Sequence, residues 1–91
     1  MNNSIQKLVD ILLTIKDQET MVNFLYGLLT PKEIDELSTR LEVIKMLKQG
    51  VRQVDIAKKL NTGIATVTRG SNEIKKGRFI SINPSNSSWR A

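Results

Sequence analysis

The stretch Gln53-Val54-Asp55-Ile56-Ala57-Lys58-Lys59-Leu60-Asn61-Thr62-Gly63-Ile64-Ala65-Thr66-Val67-Thr68-Arg69-Gly70-Ser71-Asn72 decides how the chain is read. Ile56 and Leu60 stand four residues apart, the inward positions of a short helix. Asn61 follows the last apolar residue. Asparagine is one of few side chains that tolerate a left-handed backbone, so a sharp turn is expected there. Gly63 adds freedom to the same turn, and Ala57 lies where the two helices should cross, a place for a small side chain. A second helix is predicted from about Ile64 to Lys75, with Val67 and Ile74 as its core anchors. Its other face presents Ala65, Thr66, Thr68, Arg69 and Asn72. Small and hydroxyl-bearing side chains on one helix face, set among cations, suit a helix that enters the major groove of DNA.

The charge distribution agrees. Residues 1–39 carry three lysines against six acids, a net −3, and residues 40–91 carry eleven Lys and Arg against three acids, a net +8. The basic part holds the two-helix motif, which suits a polyanion that meets one end of the protein. A solvated basic surface would give the same count, and the motif tips the balance to nucleic acid.

With 91 residues the chain makes one small domain, and it contains neither Cys nor His. Disulfides and the usual zinc sites are therefore excluded, which leaves oligomerisation as the common route to stability at this size. No apolar run approaches a membrane span and no signal peptide is visible, so a soluble, cytoplasmic protein is expected. An enzyme is not expected. The chain lacks the usual bases and nucleophiles and has no glycine-rich phosphate loop, and Glu33, Asp35 and Glu36 crowd a helix start, where acids complement the dipole. No metal site is expected.

Upstream, Ile5, Leu8, Val9, Leu12 and Ile15 repeat at helical spacing, and Asp17 to Thr20 breaks or restarts the helix. Met21, Phe24, Leu25 and Leu28 make a second stripe. Thr30-Pro31-Lys32-Glu33 is a helix start, with Thr30 as cap, Pro31 in the first position and Glu33 completing a capping box. The helix it opens, roughly residues 31–49, carries Ile34, Leu37, Leu41 and Ile44 inward, widened by Val43, Met46 and Leu47, and stops at Gly50. After Gly77, Phe79, Ile80 and Ile82 form a short apolar stretch that either tucks against the body or extends. The fold class expected is all-α. Residues 1–78 form the helical domain, with the two-helix motif at about 53–75, and residues 79–91 form a short C-terminal tail expected to be disordered, Trp89 included.

The block Gly63-Ile64-Ala65-Thr66-Val67-Thr68-Arg69-Gly70-Ser71-Asn72 resembles the tryptophan repressor family. Leu29-Thr30-Pro31, Ser38-Thr39-Arg40 and Gly50 agree with it. The likeness covers roughly residues 5–77. It implies an intertwined all-helical homodimer with a helix-turn-helix motif, in which paired recognition helices meet a palindromic double-stranded DNA operator about one turn apart. It implies a transcriptional repressor with L-tryptophan as corepressor, bound between core and recognition helix. Arg40 and Arg69 match the arginines that flank the indole, which fits the stacking and carboxylate pairing that guanidinium favours. Thr30 and Arg69 match residues near the ligand carboxylate. Leu29 matches a carbonyl acceptor for its ammonium, and Gly70 leaves room for the ring. From the residues alone, an ion pair of Arg40 with Glu36 or Glu33, and a phosphate contact by Arg69, are the favoured readings. For DNA, Ile64, Ala65, Thr66, Thr68, Asn72 and Lys75 match positions at the duplex surface, and Gln53 and Arg69 are counted with them.

Three departures stand out. Glu73 replaces a hydroxyl that helps hold the ligand ammonium; it is able to pair with that ammonium, to fold back on a nearby lysine, or to mark a different ligand. Gly27 stands where a leucine contributes a carbonyl. The link from Gly50 to Gln53 is one residue shorter, and the family's C-terminal helix is missing. Val54 and Ala57 also replace two cations that face DNA, so a different operator is expected, with Lys58, Lys59, Lys76 and Arg78 available to phosphates. Two further readings remain at this point, a ligand-independent or differently liganded DNA-binding relative and a protein-interaction module.

Overall fold

The computed structural model describes residues 2–83, and among them it contains five α-helices and no strand: α1 (Asn3–Thr14), α2 (Gln18–Leu28), α3 (Pro31–Lys48), α4 (Gln53–Leu60) and α5 (Ile64–Lys75). The expected all-α class is what the chain adopts. Residues 84–91, with Trp89 and most of the expected tail, lie outside the described residues. The chain divides into two units, the first ending at Ile34 and the second beginning at Asp35.

In the first unit, short polar side chains fix the helix starts. Asn2 caps α1 by accepting the Ser4 N–H at 2.7 Å. Asp17 caps α2, accepting the N–H of Thr20 at 2.9 Å and its hydroxyl at 2.8 Å. Those two bonds, the hydroxyl's first, hold the Asp17 carboxyl below its ordinary pKa. This is the break and restart expected between residues 17 and 20. Neither helix buries a residue, although both carry apolar stripes. Ile5, Leu8, Ile11, Leu13, Val22, Tyr26 and Leu28 are all exposed. The Thr30 capping box is formed in full. The Glu33 N–H reaches the Thr30 hydroxyl oxygen at 3.2 Å, and the Glu33 carboxylate accepts the Thr30 N–H at 2.9 Å.

The second unit has the core. Val43 and Met46 of α3, Ile56 of α4 and Val67 of α5 enclose one another, with Leu47, Val51, Ala57 and Leu60 packed around them. Ile44 is also buried. The expected inward stripe of α3 is thus only half right. Leu37 and Leu41 are exposed, because α4 and α5 pack against the C-terminal half of α3. Ile74, expected as a core anchor, is half-buried, since it lies two turns beyond Val67 toward the helix end.

Three helices of this unit end in one hydrogen-bond pattern. After α3, the Val51 N–H bonds the Met46 carbonyl and the Gly50 N–H that of Leu47; after α4, Thr62 bonds Ala57 and Asn61 bonds Lys58; after α5, Arg78 bonds Glu73 and Gly77 bonds Ile74. This reversal needs a left-handed residue, supplied by Gly50 (φ +85°), Asn61 (φ 50°) and Gly77 (φ +78°). Asn61 meets its expected role. Gly63 does not use its freedom: at φ −71° it is ordinary extended backbone before α5. Beyond Gly77, Phe79 to Ser81 continue in turns, and the Lys48 ammonium donates to the carbonyls of Phe79 and Ile82. The last turn of α3 thereby fastens the segment that follows α5.

Candidate ligand pocket and nucleic-acid interface

Helix α5 divides into three sides around its axis. Val67 faces the core and is wholly enclosed. Ile64, Ala65, Thr68, Asn72 and Lys75 are all exposed, and at 3.6 residues per turn they share one outward side. Thr66, Arg69, Gly70 and Glu73 share the remaining side and line a cavity. Of the residues expected at DNA, Thr66 and Arg69 therefore lie at the cavity, and the other α5 members form the outward side. Gln53, the first residue of α4, joins that side directly, its Oε1 accepting the Thr68 hydroxyl at 2.9 Å. Gly63 gives α5 no side-chain cap; the Thr66 N–H bonds the Gly63 carbonyl at 3.1 Å, and the Ile64 and Ala65 amides before it have no side-chain acceptor among the described residues. The outward side thus combines methyl groups, a hydroxyl, amides and a lysine.

The cavity holds about 500 Å³, a size that accommodates a small organic ligand. Leu37, Leu41, Val43 and Ile44 supply its floor from α3, and Phe79 supplies an aromatic wall. Gly70 is what lets α5 come so near. A Cβ there would lie 3.1 Å from Ile44 Cδ1, 3.2 Å from Val43 Cγ1 and 3.4 Å from Leu47 Cδ1. Arg40 and Arg69 both line this space, and neither has a hydrogen bond or ion pair among the described residues. The ion pair of Arg40 with Glu33 or Glu36 does not form.

Glu73 lines the same cavity and is engaged. Its two carboxylate oxygens accept from Arg78 Nε at 3.1 Å and Lys76 Nζ at 3.4 Å. The Arg78 hydrogen bond is the main cause that holds the Glu73 carboxyl below its ordinary pKa; burial opposes it, and Lys76 adds to the lowering. Of the three fates open to Glu73 in the sequence, folding back on a neighbouring cation is the one adopted, and the first partner is an arginine.

The structure brings Arg40, Arg69, Gly70 and Glu73 around one cavity. Leu29 and Thr30 belong to the first unit, where the Leu29 N–H closes α2 on Leu25 at 2.9 Å and Thr30 caps α3. Sequence reasoning missed Leu37, Leu41 and Phe79 as cavity residues, and it had offered Arg78 to phosphates rather than to the cavity. No local sequence signal places Arg78 and Phe79 at the cavity.

The sequence pattern of the family described as Trp repressor protein matches residues 3–79, which takes in every element above. The chain belongs to the tryptophan repressor family. Proteins described as Trp operon repressor homolog are similar to it over about three quarters of its length. The one from Pasteurella multocida is 43% identical over 68 residues, 74% of this chain and 67% of its own length. That of Vibrio cholerae is 39% identical (77% of this chain, 69% of its own) and that of Vibrio campbellii 37% (77% and 71%). Membership in the tryptophan repressor family places the chain among regulators of transcription that act by repression, and not among enzymes. No helix among the described residues is long and apolar enough to cross a membrane.

Proposed function

We propose that this chain is a homodimeric, cytoplasmic helix-turn-helix repressor that binds double-stranded operator DNA through the outward side of α5 and the start of α4. A small aromatic carboxylate in the α3–α5 cavity sets the reading head, and L-tryptophan is the first candidate. One observation carries this: the helix that turns Ile64, Ala65, Thr68, Asn72 and Lys75 outward also lines, with Arg40, an apolar cavity bordered by unpaired guanidinium groups. The dimer is supported by α1 and α2, whose apolar stripes are nowhere fully buried among the described residues and leave Ile5, Leu8, Ile11, Val22 and Leu28 exposed. Surfaces of that kind mark an association site, and a second copy would bury them.

Calorimetry with L-tryptophan, followed by selection of bound DNA with and without it, tests the proposal. Heat on binding together with a gain in operator affinity is expected. A protein that takes up no aromatic acid and ignores every duplex in dilute buffer refutes it.

Glu73 favours a second reading, a relative that binds DNA without tryptophan, because the carboxylate that stands in the ammonium position is already occupied. An Arg40→Ala variant whose operator affinity is normal with and without tryptophan selects this second reading. A head that docks on protein instead would show little salt dependence, whereas DNA binding weakens steeply as salt rises.

A further inference from the structure

Helix α5 is anchored near one end. Val67, its one buried residue, sits in the first turn. Gly70 touches α3 one turn later, and Ile74 beyond it is only half-buried. Thr68, Asn72 and Lys75, which face outward, all follow Val67. A helix end held by few buried side chains opens locally at low cost, so the last turns of α5 need another tie.

The segment after α5 supplies it. The Gly77 N–H bonds the Ile74 carbonyl at 2.9 Å, and the Arg78 N–H bonds that of Glu73 at 3.2 Å. Arg78 Nε also reaches the Glu73 carboxylate at 3.1 Å. These bonds join the segment to α5. The Ile82 N–H closes on the Phe79 carbonyl at 3.1 Å, which makes residues 79–82 one turn. The Lys48 ammonium donates to the carbonyls of Phe79 and Ile82, the latter at 2.9 Å. Lys48 is the last residue of α3, at the negative end of that helix's dipole, a place that suits a cation. An ammonium has three donors and no acceptor, so one side chain is able to hold two carbonyls by charge-assisted bonds. The C-terminal ends of α3 and α5 are thus linked through one lysine.

We propose that Lys48 is a positioning residue for DNA binding: it straps the C-terminal end of α5 to that of α3 and so fixes where Thr68, Asn72 and Lys75 stand. Lys48 itself touches no DNA. This rests on α5 being the DNA-reading helix proposed above.

The experiment measures affinity for the duplex selected by the wild type, over a series of salt concentrations, with and without L-tryptophan. Full chains of the wild type, Lys48→Met and Lys48→Arg are compared. Lys48→Met keeps the stem and removes the donors. It weakens binding by about tenfold, the population that one charge-assisted hydrogen bond holds, and leaves the slope of log affinity against log salt unchanged. Lys48→Arg keeps charge and donors and stays within about threefold of the wild type. Amide hydrogen exchange at Gly77, Arg78 and Ile82 quickens in Lys48→Met, while that of Ile56 does not. Gly77→Ala opens the strap from its other side. At φ +78° a side chain is strained, although its Cβ would meet only Ile80 Cδ1, at 3.7 Å. It weakens binding as Lys48→Met does, and it serves if circular dichroism shows that Lys48→Met does not fold. A slope that falls by about 0.9 in Lys48→Met makes Lys48 a phosphate contact and overturns the proposal. So does an affinity unchanged in both Lys48→Met and Gly77→Ala. A wild type that ignores every duplex overturns the DNA-reading role of α5, and the positioning role with it. Exchange that still quickens in Lys48→Met tells that failure apart from a failure of the strap.

Discussion

Replacing Ile56 by alanine tests how the reading head is held. Ile56 is wholly enclosed, at 0% exposure, and is the one buried residue of α4. It meets Val43 and Met46 of α3 and Val67 of α5 in a single cluster, so it ties three helices together. Truncation removes three carbons from a site that has no slack to collapse, a change that costs about 3–4 kcal/mol. The whole stability of a chain this size is roughly 5–14 kcal/mol, so the variant loses a large share of it. In urea, with a slope of about 1–1.5 kcal/mol per molar, the midpoint falls by about 2–4 M. The assay is far-UV circular dichroism at one fixed protomer concentration, since assembly would otherwise shift the curve. Val54→Ala, one residue pair away but 55% exposed, is the control and stays within about 0.5 kcal/mol of wild type. Under mild conditions Ile56→Ala also loses operator binding first, because α4 and α5 lose their common anchor. A midpoint shift no larger than that of Val54→Ala would refute the cluster as what seats the head.

Three other outcomes are expected. Asn61→Ala loses about 1 kcal/mol in the same urea assay, the strain of a left-handed alanine, while Asn61→Gly stays within about 0.5 kcal/mol of wild type. Lys75→Ala lowers the slope of log affinity for operator DNA against log salt by about 0.9, the share of one phosphate contact, and an unchanged slope removes Lys75 from the interface. Glu73 has its folded pKa depressed by Arg78, so its contribution to stability is present above the ordinary value near 4.5 and is lost as pH falls through the depressed value. Glu73→Gln therefore flattens the loss of stability on acidification below that point, and an acid titration identical to wild type would show that the Arg78 pair is not kept in solution.

Local chemistry made most of the fold legible. Asn61 after Leu60, the Thr30–Glu33 box and Gly50 each act on a single turn, and each does what its own side chain or backbone dictates. Helix periodicity located Ile56 and Val67 for the same reason. It failed for Leu37 and Leu41, because an apolar stripe records which face avoids water and not what covers it; here that face floors a cavity. Arg40 and Arg69 were found by family likeness, since an arginine in isolation looks the same on a surface and at a ligand. Arg78 and Phe79 were out of reach. Their place depends on the chain reversal at Gly77 and on a lysine that lies 31 residues before Phe79, and no pattern of short period encodes that distance.

In the proposed function, the placement of α5 sets how a ligand would influence DNA. The cavity side and the outward side belong to one short helix, 12 residues long, with Val67 as its buried anchor and Gly70 pressed on α3. A rigid helix does not pass a signal from one side to the other through its side chains. Under the proposed function, a ligand would act by favouring one seating of the whole helix on α3, and would shift the population only by as much as it prefers that seating. Gly70 is the contact where the two seatings would differ most, because its lack of a side chain permits the closest approach of α5 to Ile44 and Val43. A Gly70→Ala helix is held off by the few tenths of an ångström that a Cβ at 3.1 Å from Ile44 demands. The expected result is operator affinity that no longer responds to the aromatic acid, with affinity for the acid itself changed as well. A variant that kept full coupling would place the hinge elsewhere than at this crossing.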